Sequence, residues 1–239
     1  MKETKAPQGY LPSDTVYEIN VNTDGQIIKF DIENNIKKGK VEIIKKDSKL
    51  KEDLPLAGAE FTIYDLNRNE VDKLITDQNG YAISKDIRYG RYIMKETKAP
   101  QGYLPSDKIY EIEITEDGQV ITFDITNDVI VGDLEFEKTD ISTGEIIEGA
   151  KIVITGIDQT NSHIKLEFTS SKEGNKFKLP YGKYRIKETD APKGYVKTDE
   201  IGEFEIKEDG EIVKAELKNK RIEGFADFKK IDKETKEII

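Results

Sequence analysis

Residues 94–107 read MKETKAPQGYLPSD, and residues 1–14 repeat the same letters without a change. A shorter copy, KETDAPKGY, covers residues 187–195. The three copies follow one another at intervals of 93 and 92 positions. This period is longer than a solenoid repeat, so it predicts a string of small domains along the chain.

A second marker between the copies sets the register of the repeat. It occurs as GKVEIIKKD (39–47), GDLEFEKTD (132–140) and GFADFKKID (224–232). The register predicts two complete domains, residues 39–128 and 132–220. Residues 1–35 are then the C-terminal part of a truncated preceding unit, and residues 224–239 the first strand of a truncated following one. We therefore expect a fragment of a longer repeat protein, whose signal peptide and anchor lie outside it.

Each unit carries the pattern of an all-β domain. Short alternating runs, such as residues 59–64 and 151–155, are typical of strands. Glycine-bearing turns separate such runs at DQNG (77–80), EDGQ (116–119) and KEDG (207–210). Six to eight strands in about 90 residues indicate an immunoglobulin-like β-sandwich. The linkers are very short, so neighbouring repeats of the same chain are each other's predicted partners.

Charge and composition exclude several classes of function. The net charge of −10 argues against a nucleic-acid partner and against an anionic membrane surface, because both require a basic footprint. Cysteine is absent, and the single histidine, His163, leaves little for a catalytic triad or a metal cage. No apolar stretch approaches the roughly 20 residues of a membrane span. We expect no cofactor, no metal site and no membrane insertion.

Three polar side chains of each unit fall on the apolar face of a predicted strand. Residues two positions apart along a strand share a face. In the first complete unit Lys45, Glu96 and Asn127 each continue a line of apolar residues. The equivalent residues are Lys138, Glu188 and Asn219 in the second complete unit, and Glu3, Asn34 and Lys230 in the partial units. Lysine and glutamate are seldom buried without partners, so the three residues need a shared explanation.

The residues alone leave three explanations open. One is a buried ion pair with an amide hydrogen bond, and another is a lysine at a strand end that reaches solvent with its amine. The third is covalent. Burial lowers the pKa of a lysine and raises that of a glutamate, so a neutral amine and a proton donor lie side by side. The glutamate would hydrogen-bond the asparagine carboxamide, polarise its carbonyl and pass protons to the leaving group. The amine would attack, ammonia would leave, and an amide cross-link would remain.

The glutamate-bearing stretches, residues 92–103 and 184–195, resemble the E-box of Cna B-type (SpaA-type, prealbumin-like) domains. These domains build surface adhesins and pilins of Gram-positive bacteria. Further family elements match at the opening strands (41–47, 134–140), the Pro-Leu-Ala-Gly-Ala turn (55–59, more weakly 147–150) and the closing strands (123–127, 217–219). The resemblance covers essentially the whole chain and implies tandem prealbumin-like β-sandwiches.

The resemblance also implies a chemistry for the three polar residues. In that family the matching lysine and asparagine form an intramolecular isopeptide bond, assisted by the glutamate. Carried over, the bonds are Lys45 to Asn127 with catalytic Glu96, and Lys138 to Asn219 with catalytic Glu188. Glu3, Asn34 and Lys230 belong to incomplete units and cannot complete a bond there.

Such a cross-link would join the first strand of a domain to its last, so that tension bypasses most of the domain. We therefore expect a structural stalk region of an extracellular, cell wall-attached adhesin. Its only chemistry would be one self-cross-linking turnover per domain, which is not enzyme activity. The alternative is that the domains themselves bind a host extracellular-matrix protein through a loop or a sheet face.

Overall fold

The computed structural model describes residues 1–48, 54–158 and 161–239. Chain contacts divide these residues into two units, Met1–Val129 and Ile130–Ile239. Each unit contains eight strands, and no helix occurs in the described residues. The predicted all-β class is therefore confirmed.

The first unit folds into two facing sheets. Its strands are β1 (Lys38–Asp47), β2 (Glu60–Asp65), β3 (Glu70–Ile75), β4 (Tyr81–Ile83), β5 (Ile87–Arg88), β6 (Gly90–Lys98), β7 (Ile109–Ile114) and β8 (Gln119–Asn127). In one sheet β1 pairs in parallel with β8 and antiparallel with β4 and β5. The other sheet has the order β3-β2-β6-β7 and is antiparallel throughout.

The second unit repeats this architecture. Its strands are β9 (Val131–Asp140), β10 (Lys151–Gly156), β11 (Lys165–Thr169), β12 (Asn175–Pro180), β13 (Gly182–Asp190), β14 (Tyr195–Val196), β15 (Ile201–Ile206) and β16 (Ile212–Arg221). One sheet has the order β12-β9-β16-β14, and the other β11-β10-β13-β15. As in the first unit, the opening strand β9 lies parallel to the closing strand β16.

Alternating side chains give each sandwich its core. Along β1, Val41 and Ile43 point inward and are fully buried. Lys40 points to the other face of the strand and is exposed. Val41 and Ile43 pack against apolar residues of the facing sheet, which include Phe61, Ile63, Met94, Ile112 and Ile114. Fully burying one such side chain stabilises the fold by about 1.5–3 kcal/mol. The second core is built alike, from Leu134, Phe136, Ile152, Ile154, Tyr184 and Ile186.

The N-terminal and C-terminal segments lack the strand pairing that the two complete domains have. Residues 1–35 contain isolated bridges, such as Lys2 with Val16, but no strand. Residues 224–230 are exposed and not in a strand, although the sequence pattern predicts one. In both complete domains the opening strand is held along its length by the closing strand, and no described residue offers residues 224–230 such a partner.

Candidate functional site

Lys45 and Asn127 lie on one face of the same sheet, near the ends of its first and last strands. The parallel register pairs Lys45 with Ile125 and Asp47 with Asn127. Because positions two apart point to the same side, the lysine and the asparagine both face the interior. Both side chains are buried, with exposed fractions of 0% and 4%.

Glu96 approaches this pair from the opposite sheet. It lies on β6, and its side chain is 1% exposed. Its Oε1 lies 3.8 Å from Nζ of Lys45. Its Oε2 accepts a hydrogen bond of 2.9 Å from Nδ2 of Asn127. One carboxylate therefore bridges the amine and the carboxamide across the core.

The loop after β6 fixes the orientation of these groups. The Ser106 N–H donates to Oε2 of Glu96 at 2.8 Å, and the Leu104 carbonyl accepts from Nδ2 of Asn127 at 2.5 Å. A carbonyl only accepts, so it must face the amide nitrogen. Oδ1 of Asn127 is left buried, without a hydrogen-bond partner in the described part of the chain. In this arrangement Oε2 of Glu96 contacts the amide nitrogen of Asn127 and not its carbonyl oxygen.

In both domains a β-bulge lies directly after the glutamate. This bulge gives the threonine of the repeated Lys-Glu-Thr sequence a structural role. The register of β6 against β2 shifts by one residue at Thr97, whose hydroxyl donates to the Glu60 carbonyl at 3.2 Å. Thr189 sits at the same shift in the second unit and donates to the Lys151 carbonyl at 3.1 Å. The threonine thus fastens the strand directly beside the glutamate.

The second domain assembles the same three groups. Lys138 on β9, Glu188 on β13 and Asn219 on β16 are 1%, 3% and 1% exposed. Oε1 of Glu188 lies 4.0 Å from Nζ of Lys138 and accepts a hydrogen bond of 2.8 Å from Nδ2 of Asn219. The Thr198 N–H holds the other carboxylate oxygen at 2.7 Å. Here a single oxygen faces both the amine and the amide nitrogen.

Burial changes the proton affinity of the two lysines. Neither Nζ has a hydrogen-bond partner among the described residues. Desolvation lowers the pKa of Lys45 to about 8, against the opposing effect of Glu96. The pKa of Lys138 is also lowered by burial, with Glu188 opposing. A lowered pKa makes the neutral, nucleophilic amine accessible near physiological pH.

The N-terminal partial unit contains two of the three site residues, Glu3 and Asn34. Oε2 of Glu3 accepts hydrogen bonds from Nδ2 of Asn34 at 2.6 Å and from the Ser13 N–H at 2.7 Å. The Leu11 carbonyl accepts from the same Nδ2 at 2.9 Å. The glutamate–asparagine contact therefore forms in this segment without a lysine. Lys230, in the C-terminal segment, is exposed.

Sequence reasoning missed a polar cluster two residues beyond Lys138. Asp140 is 1% exposed and accepts hydrogen bonds from the Ser142 N–H, from Nε of Arg221 at 2.6 Å and from the Tyr195 hydroxyl at 3.1 Å. These contacts, with the Ser142 N–H the strongest and Arg221 next, lower the pKa of Asp140 to about 2. The cluster ties the end of the last strand to the end of the first.

The first domain has a related contact at the equivalent aspartate, Asp47. Burial, together with a hydrogen bond to Asp47, raises the pKa of Tyr103. Val129 stands where the second domain has Arg221. The signal was present in the sequence, because each opening strand ends in aspartate and each Pro-x-Gly-Tyr copy ends in tyrosine. Nothing in the sequence showed that the two meet.

Neither a metal cluster nor a membrane span is found in the described residues. Residues 1–48, 54–158 and 161–239 contain no group of three or more histidine, cysteine, aspartate or glutamate side chains able to hold a metal ion. The same ranges contain no helix of the length and apolarity that crossing a bilayer requires.

Comparison with known proteins places both domains in one family. The family model described as "SpaA: Prealbumin-like fold domain" matches residues 39–129 and 132–221. The "Trypsin-resistant surface T6 protein" of Streptococcus pyogenes serotype M6 is 47% identical over 58 residues, which are 24% of this chain and 11% of that protein. The "Collagen adhesin" of Staphylococcus aureus is 32% identical over 149 residues, which are 58% of this chain and 11% of that protein.

A solved structure, "The Bacillus anthracis TIE protein", superposes with a TM-score of 0.78 at 38% identity. The match covers 91% of this chain and 40% of that one. The chain thus spans about a tenth of the length of the two curated relatives and less than half of this solved chain. The named relatives include Gram-positive surface proteins. Both complete domains match the family model, and the chain belongs to the SpaA prealbumin-like fold family.

Proposed function

We propose that the chain is part of the stalk of a wall-attached surface adhesin, and that each complete domain is closed by a lysine–asparagine isopeptide bond. The bonds are Lys45 to Asn127 and Lys138 to Asn219. The observation that carries the proposal is the position of Glu96, whose two carboxylate oxygens lie against the amine and the amide nitrogen. The neighbouring domains form the stalk, and the surface-protein relatives support a place on the cell surface.

The alternative of a plain buried ion pair explains fewer of the contacts. A structural ion pair is stabilising when hydrogen bonds satisfy the remaining polar atoms. Here Nζ of Lys45, Oε1 of Glu96 and Oδ1 of Asn127 are all buried and without hydrogen-bond partners among the described residues. The second domain leaves Nζ of Lys138 and Oδ1 of Asn219 in the same condition. Cross-linking removes the lysine charge and the orphaned amine together.

The reaction balances within the three side chains. A proton passes from Nζ of Lys45 to Glu96, and the neutral amine attacks Cγ of Asn127. The glutamic acid gives a proton to Nδ2 and takes one from the attacking nitrogen. The Cγ–Nδ2 bond breaks, ammonia leaves, and the Nζ–Cγ amide remains. Holding the reactants in contact supplies effective molarities of about 10⁵ M or more, which is why one domain can react with itself.

The intact mass of the denatured chain tests the proposal. We expect a mass below the sequence mass by two ammonia molecules. Glu96→Ala should restore one ammonia and Glu188→Ala the other, whereas Glu113→Ala, which removes an exposed carboxylate paired with Arg91, should restore neither. Peptide mapping should then recover Lys45 joined to Asn127. A mass equal to the sequence mass would contradict the cross-links.

A further inference from the structure

The linker before the first complete domain is bonded on both sides. The Lys37 N–H donates to the Gly9 carbonyl at 2.8 Å, in the repeated Pro-x-Gly-Tyr loop. The Lys37 carbonyl accepts from the Tyr89 N–H, also at 2.8 Å, in the turn before β6. A hinge needs residues whose backbone torsions can change freely. Lys37 cannot turn without losing a bond to the segment before it or to the domain after it.

Side chains close the same junction. The Gln8 amide donates to the Tyr89 hydroxyl at 2.6 Å. Gly9 is buried and has φ +84°, and a Cβ placed on it would lie 2.6 Å from Cδ1 of the Tyr89 ring. The ring therefore lies directly on the glycine. Only glycine combines this positive φ with so close an approach.

The amine of Lys37 makes a third attachment. Its Nζ donates to Oε2 of Glu116 at 2.9 Å, in the Asp-Gly turn between β7 and β8. The next residue is held by the same turn, because the Lys38 N–H donates to Asp117 and the Gly118 N–H donates to the Lys38 carbonyl. The linker is thus fastened to the following domain at two separate turns.

Both halves of this arrangement recur in the second unit. On its entry side the Tyr181 N–H donates to the Ile130 carbonyl at 2.9 Å, as Tyr89 does to Lys37. On its exit side the Ile222 N–H donates to the Gly194 carbonyl at 2.8 Å, as Lys37 does to Gly9. The backbone bonds on the two sides of the linker therefore have equivalents in the second unit, where Lys193 stands in place of Gln8.

We propose that the Gln8–Gly9 loop is a docking site for Tyr89, and that this contact locks the linker so that the first complete domain cannot swivel on the segment before it. The partner of the loop is the next domain of the same chain. The proposal rests on the proposed function, because a stiff junction has a use only in a tandem stalk. The proposed cross-link joins two strands within a domain, whereas this contact fixes the orientation of the first complete domain relative to the segment before it.

Amide hydrogen exchange of the full chain tests the lock. Gly9→Ala puts a Cβ into the Tyr89 ring, whereas Gly25→Ala is a matched control with a similar φ of +73° and no atom within 4 Å. We expect Gly9→Ala to speed exchange of the Lys37 and Tyr89 amides at least tenfold and Gly25→Ala to leave both rates unchanged. Tyr89→Ala, which removes the ring without straining the loop, should speed exchange of Lys37 as Gly9→Ala does.

Two results would overturn the lock. One is equal exchange of Lys37 in Gly9→Ala and Gly25→Ala, and the other is unchanged exchange of Lys37 in Tyr89→Ala. The intact mass of each variant is read in parallel. If ammonia is retained in the unmodified chain, the isopeptide proposal fails, while protection of Lys37 still decides the docking proposal.

Discussion

Oε1 of Glu96 lies 3.8 Å from Nζ of Lys45, although the two residues belong to opposite sheets of the sandwich. An ion pair across an apolar core loses most of its hydration, so its net contribution to stability is small or unfavourable. The pair persists because the strands on both sides are fixed by their ladders and by burial of their apolar neighbours. The fold thereby holds an amine and a carboxylate side by side in the core.

The pH dependence of cross-linking should report this pair. In the proposed reaction Lys45 supplies the one proton that Glu96 passes to the leaving nitrogen. Because the pKa of Lys45 is about 8 in the folded domain, that proton is lost above pH 8, and the glutamate then has none to give the leaving nitrogen. We expect the rate of bond formation in the first domain to fall about tenfold per pH unit above pH 8. A rate that rises through pH 8 would instead make Glu96 a base only.

This rate can be measured on chain recovered unfolded from inclusion bodies. Dilution from denaturant at each pH starts folding and cross-linking together, and mass spectrometry follows the loss of ammonia. In the Glu188→Ala variant the second domain cannot react, so the loss of ammonia reports the first domain alone. Far-ultraviolet circular dichroism at each pH shows that folding itself is complete, which separates a slow reaction from a slow fold.

Asn127→Ala should reveal the thermodynamic effect of the cross-link. Lys45 and Asn127 lie 82 positions apart, and closing a loop of this length removes unfolded-state entropy worth about 4–5 kcal/mol. We expect the free energy of unfolding of the first domain to fall by about this amount. Denaturant-dependent hydrogen exchange resolves the two domains, and the second domain serves as an internal reference. Asn79→Ala, in an exposed turn, should change stability by less than about 0.5 kcal/mol.

The alternation of side chains made much of this structure predictable. Period two along β1 and β8 identifies Lys45 and Asn127 as inward residues, and the repeat brings Glu96 into the same set. The parallel pairing of the first and last strands does not follow from alternation, because a strand's pattern fixes which face is buried and not which neighbour it takes. That pairing is what brings the lysine and the asparagine together.

The contacts made by loops could not be predicted from the alternation of side chains. The Leu104 carbonyl turns the Asn127 amide, and the backbone of a loop leaves no signature in side-chain hydropathy. The contact of Asp140 with Arg221 joins residues 81 positions apart, and charged residues near strand ends are otherwise typical of solvated positions. The Gly9–Tyr89 contact could not be predicted either. A glycine that recurs in each copy of the repeat does not show which side chain packs against it.

Acid should weaken the second domain through Asp140. Its pKa is about 2 in the folded state and 3.8 ordinarily, so the folded state favours the carboxylate. This stabilisation is present above about pH 4 and is lost as the pH falls from 3.8 towards 2. We expect Asp140→Asn to lower the melting temperature of the second domain at pH 7. At pH 2 the melting temperatures of this variant and of the unmodified chain should lie closer together. Calorimetry at both values measures this.

The control for this prediction is Asp199→Asn, which removes a carboxylate that is 99% exposed. It should give melting temperatures close to those of the unmodified chain at both pH values. A difference between Asp140→Asn and the unmodified chain that is the same at pH 7 and pH 2 would show that the aspartate acts by packing alone. Arg221→Ala should reproduce part of the loss at pH 7, because Nε of Arg221 is one of the donors to that carboxylate.

Force applied between the chain termini should distinguish cross-linked from open domains most directly. With both bonds formed, tension passes from Lys45 to Asn127 through an amide, and the intervening strands carry none of it. We therefore expect no extension event from either complete domain at forces that unfold ordinary β-sandwiches. Glu96→Ala should add one event that frees 82 residues, which is about 280 Å of chain at ~3.4 Å per residue. Glu188→Ala should add one of nearly equal length from the second domain, and release of these lengths by the unmodified chain would contradict the cross-linked stalk.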